Sequence, residues 1–166
     1  MAVVEKKNLR TKCSELVLLK AEIAVQPFSD FCAMNAMINS KSNLKTEAQE
    51  QAELIKWAEN CVLKKIHPEL EMLYAVPNGG KRDRIEAAHL KLQGVKAGVP
   101  DLCLAVPKGK YHGLYIELKV GRNKTSEHQD KWLCNLSQNG YAVKVCYGCV
   151  SAKQAIERYL KLGEYK

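Results

Sequence analysis

Asp101-Leu102-Cys103-Leu104-Ala105-Val106, then Pro107-Lys108-Gly109-Lys110-Tyr111-His112, then Gly113-Leu114-Tyr115-Ile116-Glu117-Leu118-Lys119 is the stretch that decides the fold. Both flanks have strand composition and alternation, and the Gly-containing segment between them suits a hairpin loop. A period of two sends Leu114, Ile116 and Leu118 to one face and Tyr115, Glu117 and Lys119 to the other. In the first strand Leu102, Leu104 and Val106 form the apolar face, leaving Asp101 and Cys103 opposite. Asp101 and Glu117 each lie eight residues from Gly109. A hairpin centred there sets the two carboxylates directly across from each other, with about 4.5–5.5 Å between Cβ atoms.

Outward from this hairpin, Thr46 opens a helical pattern as a capping box with Gln49, and Ala48, Ala52, Ile55, Ala58 and Val62 recur at helical spacing until Pro68. Glu71 to Val76 reads as a strand, Pro77-Asn78-Gly79-Gly80 as a turn, and Ile85 to Gln93 as a helix stopped by Gly94. Ser126 to Asn139 reads as a helix with a second box (Ser126, Gln129), and Tyr141 to Tyr147 as a strand. The last helix is predicted over Ser151 to Leu162, opened by a Ser151 to Gln154 box. The order αβαββαβα over residues 45–166 predicts an α/β domain with a mixed central sheet flanked by helices. Residues 1–44 carry apolar runs (Leu16 to Leu19, Ile23 to Val25, Phe31 to Ile38) without clean periodicity and read as an N-terminal extension of unassigned role.

The 166 residues suffice for one core, and a 46% hydrophobic fraction with 27% charged residues excludes a disordered chain, a collagen-like repeat or a coiled-coil rod. No run approaches the length of a membrane span, and Leu16 to Val25 is broken by Lys20 and Glu22, so an intracellular protein is expected. The seven cysteines are then expected to be reduced thiols. A formal charge of +8 suits a polyanionic partner, nucleic acid or an anionic surface.

Opposed carboxylates repel unless a cation lies between them. Mg²⁺ resolves the repulsion, since it takes oxygen ligands from one or two carboxylates plus a phosphate. It would also polarise that phosphate, and Lys119 would stabilise the negative charge that develops in hydrolysis. The plainer reading is a solvated Glu117–Lys119 pair on a half-exposed strand, with Asp101 a turn residue after Pro100. Asn78, Gly79, Lys81, Arg82 and Arg84 form a basic turn that suits DNA phosphates or solvent, and Lys108, Lys110, Arg122 and Lys124 are expected to flank the site. Cys146-Tyr147-Gly148-Cys149 admits a thiol redox reading, or two buried small hydrophobes.

Gly98-Val99-Pro100-Asp101 followed by Tyr115-Ile116-Glu117-Leu118-Lys119 resembles the signature of PD-(D/E)XK nucleases. With Thr46 to Gln51, Val76 to Gly80, Gly94 to Asp101, Ser126 to Gln129 and Gly140-Tyr141, residues 45–162 look like a VRR-NUC domain of the stand-alone phage and bacterial type. The resemblance implies a restriction-endonuclease-like fold and Mg²⁺- or Mn²⁺-dependent endonuclease cleavage of DNA, with relatives similar to Holliday-junction resolvases. It implies that Asp101, Glu117 and the Leu118 carbonyl hold the metal and that Lys119 is the catalytic lysine. A first-helix glutamate joins them; Glu47 with Gln51 matches the spacing, and Glu50 competes with it. Gln129 matches the family's helical glutamine, although its spacing from Ser126 is also that of a cap. A non-catalytic module that binds branched DNA is the alternative. A two-fold symmetric substrate would need two sites, hence a homodimer, and the expected setting is the cytoplasm of a bacterial or phage-infected cell.

Overall fold

The structure, a computed structural model, describes residues 45–77 and 84–165, so the extension 1–44 and the basic turn residues Asn78, Gly79, Lys81 and Arg82 lie outside the described residues. Helix α1 (Glu47–Leu63) leads through a 3₁₀ turn (Pro68–Met72) into strand β1 (Leu73–Ala75). Then come α2 (Arg84–Leu92), β2 (Leu102–Leu104), β3 (Leu114–Lys119), α3 (Glu127–Gln138), β4 (Ala142–Tyr147) and α4 (Gly148–Leu160). This is the αβαββαβα order of an α/β domain.

The sheet order is β1-β2-β3-β4. The pairs β1–β2 and β2–β3 are antiparallel, whereas β3–β4 is parallel because α3 carries the chain back across the sheet. In the central hairpin Leu102 pairs with Ile116 and Leu104 with Leu114, a register symmetric about Gly109. One step beyond the last pair, that register sets Asp101 opposite Glu117.

Leu102, Leu104, Leu114, Ile116 and Leu118 form the main core with Leu54, Ala58 and Cys61 of α1 and Ala152, Ile156 and Tyr159 of α4. Helix α3 lies on the other face, since Gln129 in its first turn hydrogen-bonds Glu117 of β3. Its own Leu133 and Leu136 are buried. Both sheet faces are therefore covered around β3, and the half-exposed strand reading fails: Glu117 is 0% and Lys119 5% exposed.

The capping boxes at Thr46 and Ser126 form as their spacing predicts. Several boundaries differ: α1 ends at Leu63, short of Pro68, and β2 covers only Leu102–Leu104 of the expected Asp101 to Val106. Pro68 starts a 3₁₀ turn that takes up Glu71 and Met72, so β1 begins only at Leu73. Helix α4 begins at Gly148, three residues before the expected Ser151, because its orphan amide is satisfied from a distance: Glu50 Oε2 on α1 accepts the Cys149 N–H at 2.6 Å. Cys61, Cys103, Cys146 and Cys149 are buried free thiols. Among the described residues no helix is long and apolar enough to cross a membrane.

Because Glu50 supplies the cap that Ser151 does not, Glu50→Ala is expected to destabilise the fold by about 0.5–2 kcal/mol in urea unfolding, the usual range for a lost N-cap. Ser151→Ala should cost less, and the reverse ranking would refute this account of the α4 N-terminus.

Candidate active site

Pro100 is buried and directs the backbone into β2, leaving Asp101 at the strand entrance. There Asp101 Oδ2 accepts the Leu118 N–H at 2.8 Å, which locks this carboxylate to the neighbouring strand. Lys119 Nζ lies 2.5 Å from Glu117 Oε1 and donates to the Leu118 carbonyl at 3.2 Å. Gln129 Nε2 donates to the same Glu117 Oε1. Its Oε1 accepts the Ser126 N–H at 2.8 Å. The two sequence readings of Gln129 are thus both true, with one end of the amide capping α3 and the other orienting Glu117.

Gly98 allows α3 to approach this closely. Its φ is +84°, and a Cβ there would stand 2.7 Å from the His128 backbone carbonyl carbon. A side chain at this position would push the segment leading to Asp101 away from the helix that carries Gln129. Trp132 Nε1 fastens the same segment through the Ala97 carbonyl at 3.1 Å.

The first-helix glutamates divide. Glu47 is half-buried, accepts from Asn123 Nδ2 at 3.1 Å, and its charge acts on Asp101, Glu117 and Lys119. Glu50 is occupied at the α4 N-terminus. Of the two alternatives, Glu47 is therefore the carboxylate beside the acidic pair.

Burial pushes the Glu117 carboxyl up to about 7; the Lys119 hydrogen bond opposes the shift and the Asp101 charge adds to it. Burial likewise raises Asp101, against the pull of the Leu118 N–H and Lys119. For Lys119 burial works downward, but the hydrogen bond and charge of Glu117 outweigh it and hold the ammonium above its ordinary value.

The residues fit a hard divalent cation. Glu117 Oε2 is buried without a hydrogen-bond partner, a costly state for a carboxylate oxygen unless something positive meets it. Asp101 stands across from it and Glu47 nearby, an all-oxygen donor set suited to Mg²⁺ or Mn²⁺. A separate group, Glu50, Glu53 and Cys149, has ligand atoms within 4.8 Å of one another. Two of its three donors are already committed: Glu50 caps α4, and Glu53 Oε1 pairs with Lys45 Nζ at 2.5 Å.

The structure distributes the expected basic residues unevenly. Arg122 and Lys124 are exposed on the β3–α3 loop, on either side of Asn123. Lys108 and Lys110 belong to the hairpin loop at the opposite end of β2 and β3, where Lys108 pairs with Glu69 at 3.2 Å and Lys110 lies over the Tyr111 ring. They do not flank the acidic pair, because the strands separate the loop from Asp101. Arg84 begins α2. Cys146 and Cys149 are 2% and 3% exposed, and burial pushes the Cys146 thiol up to about 11, which fits buried small hydrophobes and opposes a reactive thiolate. The sequence offered no signal for Asn123, whose role depends on a loop conformation.

The VRR-NUC domain family model matches residues 36–149. A solved VRR_NUC domain protein is similar to the chain at 29% identity and a TM-score of 0.61, covering 75% of this chain and 95% of that one. No curated protein matches.

A carboxyl held above its ordinary value stabilises the fold fully below its unfolded value and loses that contribution as the pH rises through the folded one. For Glu117 the window runs from 4.5 to about 7. Without divalent cations, the thermal midpoint is expected to fall more between about pH 5 and about pH 8 in the wild type than in Glu117→Gln. Mg²⁺ should restore the wild type at the upper end. Parallel curves for the two proteins would show that this carboxyl does not titrate in the window.

Proposed function

We propose, because the chain belongs to the VRR-NUC domain family, that it is a divalent-metal-dependent DNA endonuclease acting at Asp101, Glu117 and Lys119. Membership implies a nuclease-type function with DNA as the substrate. The observation that carries the finer reading is the unpartnered Glu117 Oε2, buried beside a second carboxylate and a buried ammonium.

Asp101, Glu117 and Glu47 are the residues that would hold Mg²⁺ or Mn²⁺, with the Leu118 carbonyl as a further oxygen. A bound divalent ion supplies charge neutralisation at a phosphate oxygen and a water acidic enough to act as nucleophile near neutral pH. The chain's own groups do the rest. Glu117 and the Leu118 carbonyl hold the Lys119 ammonium in place, so the lysine acts as a fixed cation toward a phosphate entering the site. Gln129 holds Glu117 Oε1 while Lys119 bonds the same atom, which leaves Oε2 for the cation. Asn123 positions Glu47, and Arg122 and Lys124 offer phosphate contacts around it.

The preference for branched DNA follows the likeness to Holliday-junction resolvases, and a four-way junction would be cut symmetrically by a homodimer. End-labelled four-way junction, flap and linear duplex, each with Mg²⁺, Mn²⁺ or EDTA, test both activity and preference. Cutting should require the metal and vanish in Asp101→Ala. Lys119→Ala should lower the rate by about 10²–10³ while DNA binding survives, the usual effect of removing one fixed charge-stabilising group. Wild-type cutting by either variant would refute the assignment. Binding of the junction with no cutting under any metal would support the non-catalytic reading instead.

A further inference from the structure

The sheet face that carries Asp101 and Glu117 continues, two residues further along each strand, into a row of aromatic side chains. Tyr74 pairs with Cys103 and Cys103 with Tyr115. This row lies about 6.8 Å from the acidic row at the ordinary rise of a strand. Tyr74 and Tyr115 both interact with the Cys103 thiol, and Cys103 is 3% exposed, so the two side chains close over it. Beyond them, Tyr141 meets the Tyr115 ring edge-on at 5.3 Å, and His112 meets Tyr141 at 5.7 Å. Tyr165 Oη lies 2.7 Å from His112 Nδ1, within hydrogen-bond distance.

This chain of edge contacts fixes Tyr115 and Tyr141, while Tyr74 has no ring partner among the described residues and is 50% exposed. A ring so exposed, on the same sheet face as the acidic pair, leaves an open aromatic face within reach of a nucleotide whose phosphate enters the site. The bases of a paired duplex hide their faces in the stack, so a duplex offers this row only phosphates and groove edges. An unpaired base does present a face, and stacking of that kind does not depend on sequence.

We propose that Tyr74, backed by Tyr115 and Tyr141, is a stacking platform for an unpaired nucleotide next to the phosphate held at Asp101 and Glu117. The substrate class is then DNA with a single-stranded segment at the cleavage position, a flap or a splayed arm. The inference rests on the nuclease reading of the acidic pair and adds to it the part of the substrate that is recognised.

The test reads binding without catalysis. A 5′ flap carrying 2-aminopurine beside the branch, and the matching fully paired duplex, are titrated with the full chain in EDTA while anisotropy and 2-aminopurine fluorescence are followed. The wild type should quench the flap probe. Tyr74→Ala should weaken flap binding on the order of tenfold and abolish quenching, Tyr74→Phe should retain both, and duplex affinity should not move. Equal loss on flap and duplex would make Tyr74 merely structural and overturn the platform. An unquenched probe with wild-type protein, or a Tyr74→Ala that binds the flap normally, would overturn it as well. Because these readouts need no cleavage, their failure leaves the Asp101→Ala and Lys119→Ala results standing; wild-type cutting by those variants would instead remove the nuclease reading.

Discussion

A glutamate and a lysine two residues apart on one strand are both taken out of water, and the rest of the domain answers to that burial. An isolated buried charge is expensive, and a buried pair is tolerable only when its remaining donors and acceptors are met. Lys119 meets Glu117 and the Leu118 carbonyl; Glu117 Oε1 takes a second donor from α3. Asp101 is tied to the Leu118 N–H between them. What stays unmet is one carboxylate oxygen, Glu117 Oε2. The scaffold therefore satisfies every polar group of the pair except the one that a cation would meet.

The surrounding elements are arranged to permit this. Helix α3 approaches because Gly98 has no side chain, and Gln129 serves its own helix and the site with the two ends of one amide. Helix α1 contributes two glutamates one turn apart to different tasks. Glu47 adds negative potential beside the acidic pair, and Glu50 turns to the backbone of α4. The division is geometric, since residues three apart on a helix sit close but do not point the same way.

Much of this was legible in the sequence, for local reasons. The hairpin register follows from an alternation of two on both sides of a glycine, so Asp101 opposite Glu117 could be read without any tertiary information, as could the boxes at Thr46 and Ser126. Alternation assigns a face, however, and not what covers it; the burial of Lys119 depends on α3, which the strand does not encode. The start of α4 escaped for a related reason. Ser151 and Gln154 have capping spacing, but a carboxylate 99 residues away captures the amide first. The placing of Lys108 and Lys110 beside the site overlooked that the hairpin which brings Asp101 to Glu117 sends its own loop to the far end.

The Glu50 to Cys149 hydrogen bond has a consequence for how the domain is assembled in time. The β2–β3 hairpin closes over a connection of nine residues, and its register follows from the alternation of its own two strands. The α4 N-terminus can be satisfied only after α1 has met a segment 99 residues further on. Contacts of such sequence separation form late, because the loop they close must first lose its freedom. On a ribosome the carboxylate is made long before the amide it will hold, and in that interval the first helix has an acidic group with no partner. The acidic pair of the hairpin thus comes together early, and the contact that ties the first helix to the last closes the domain around it.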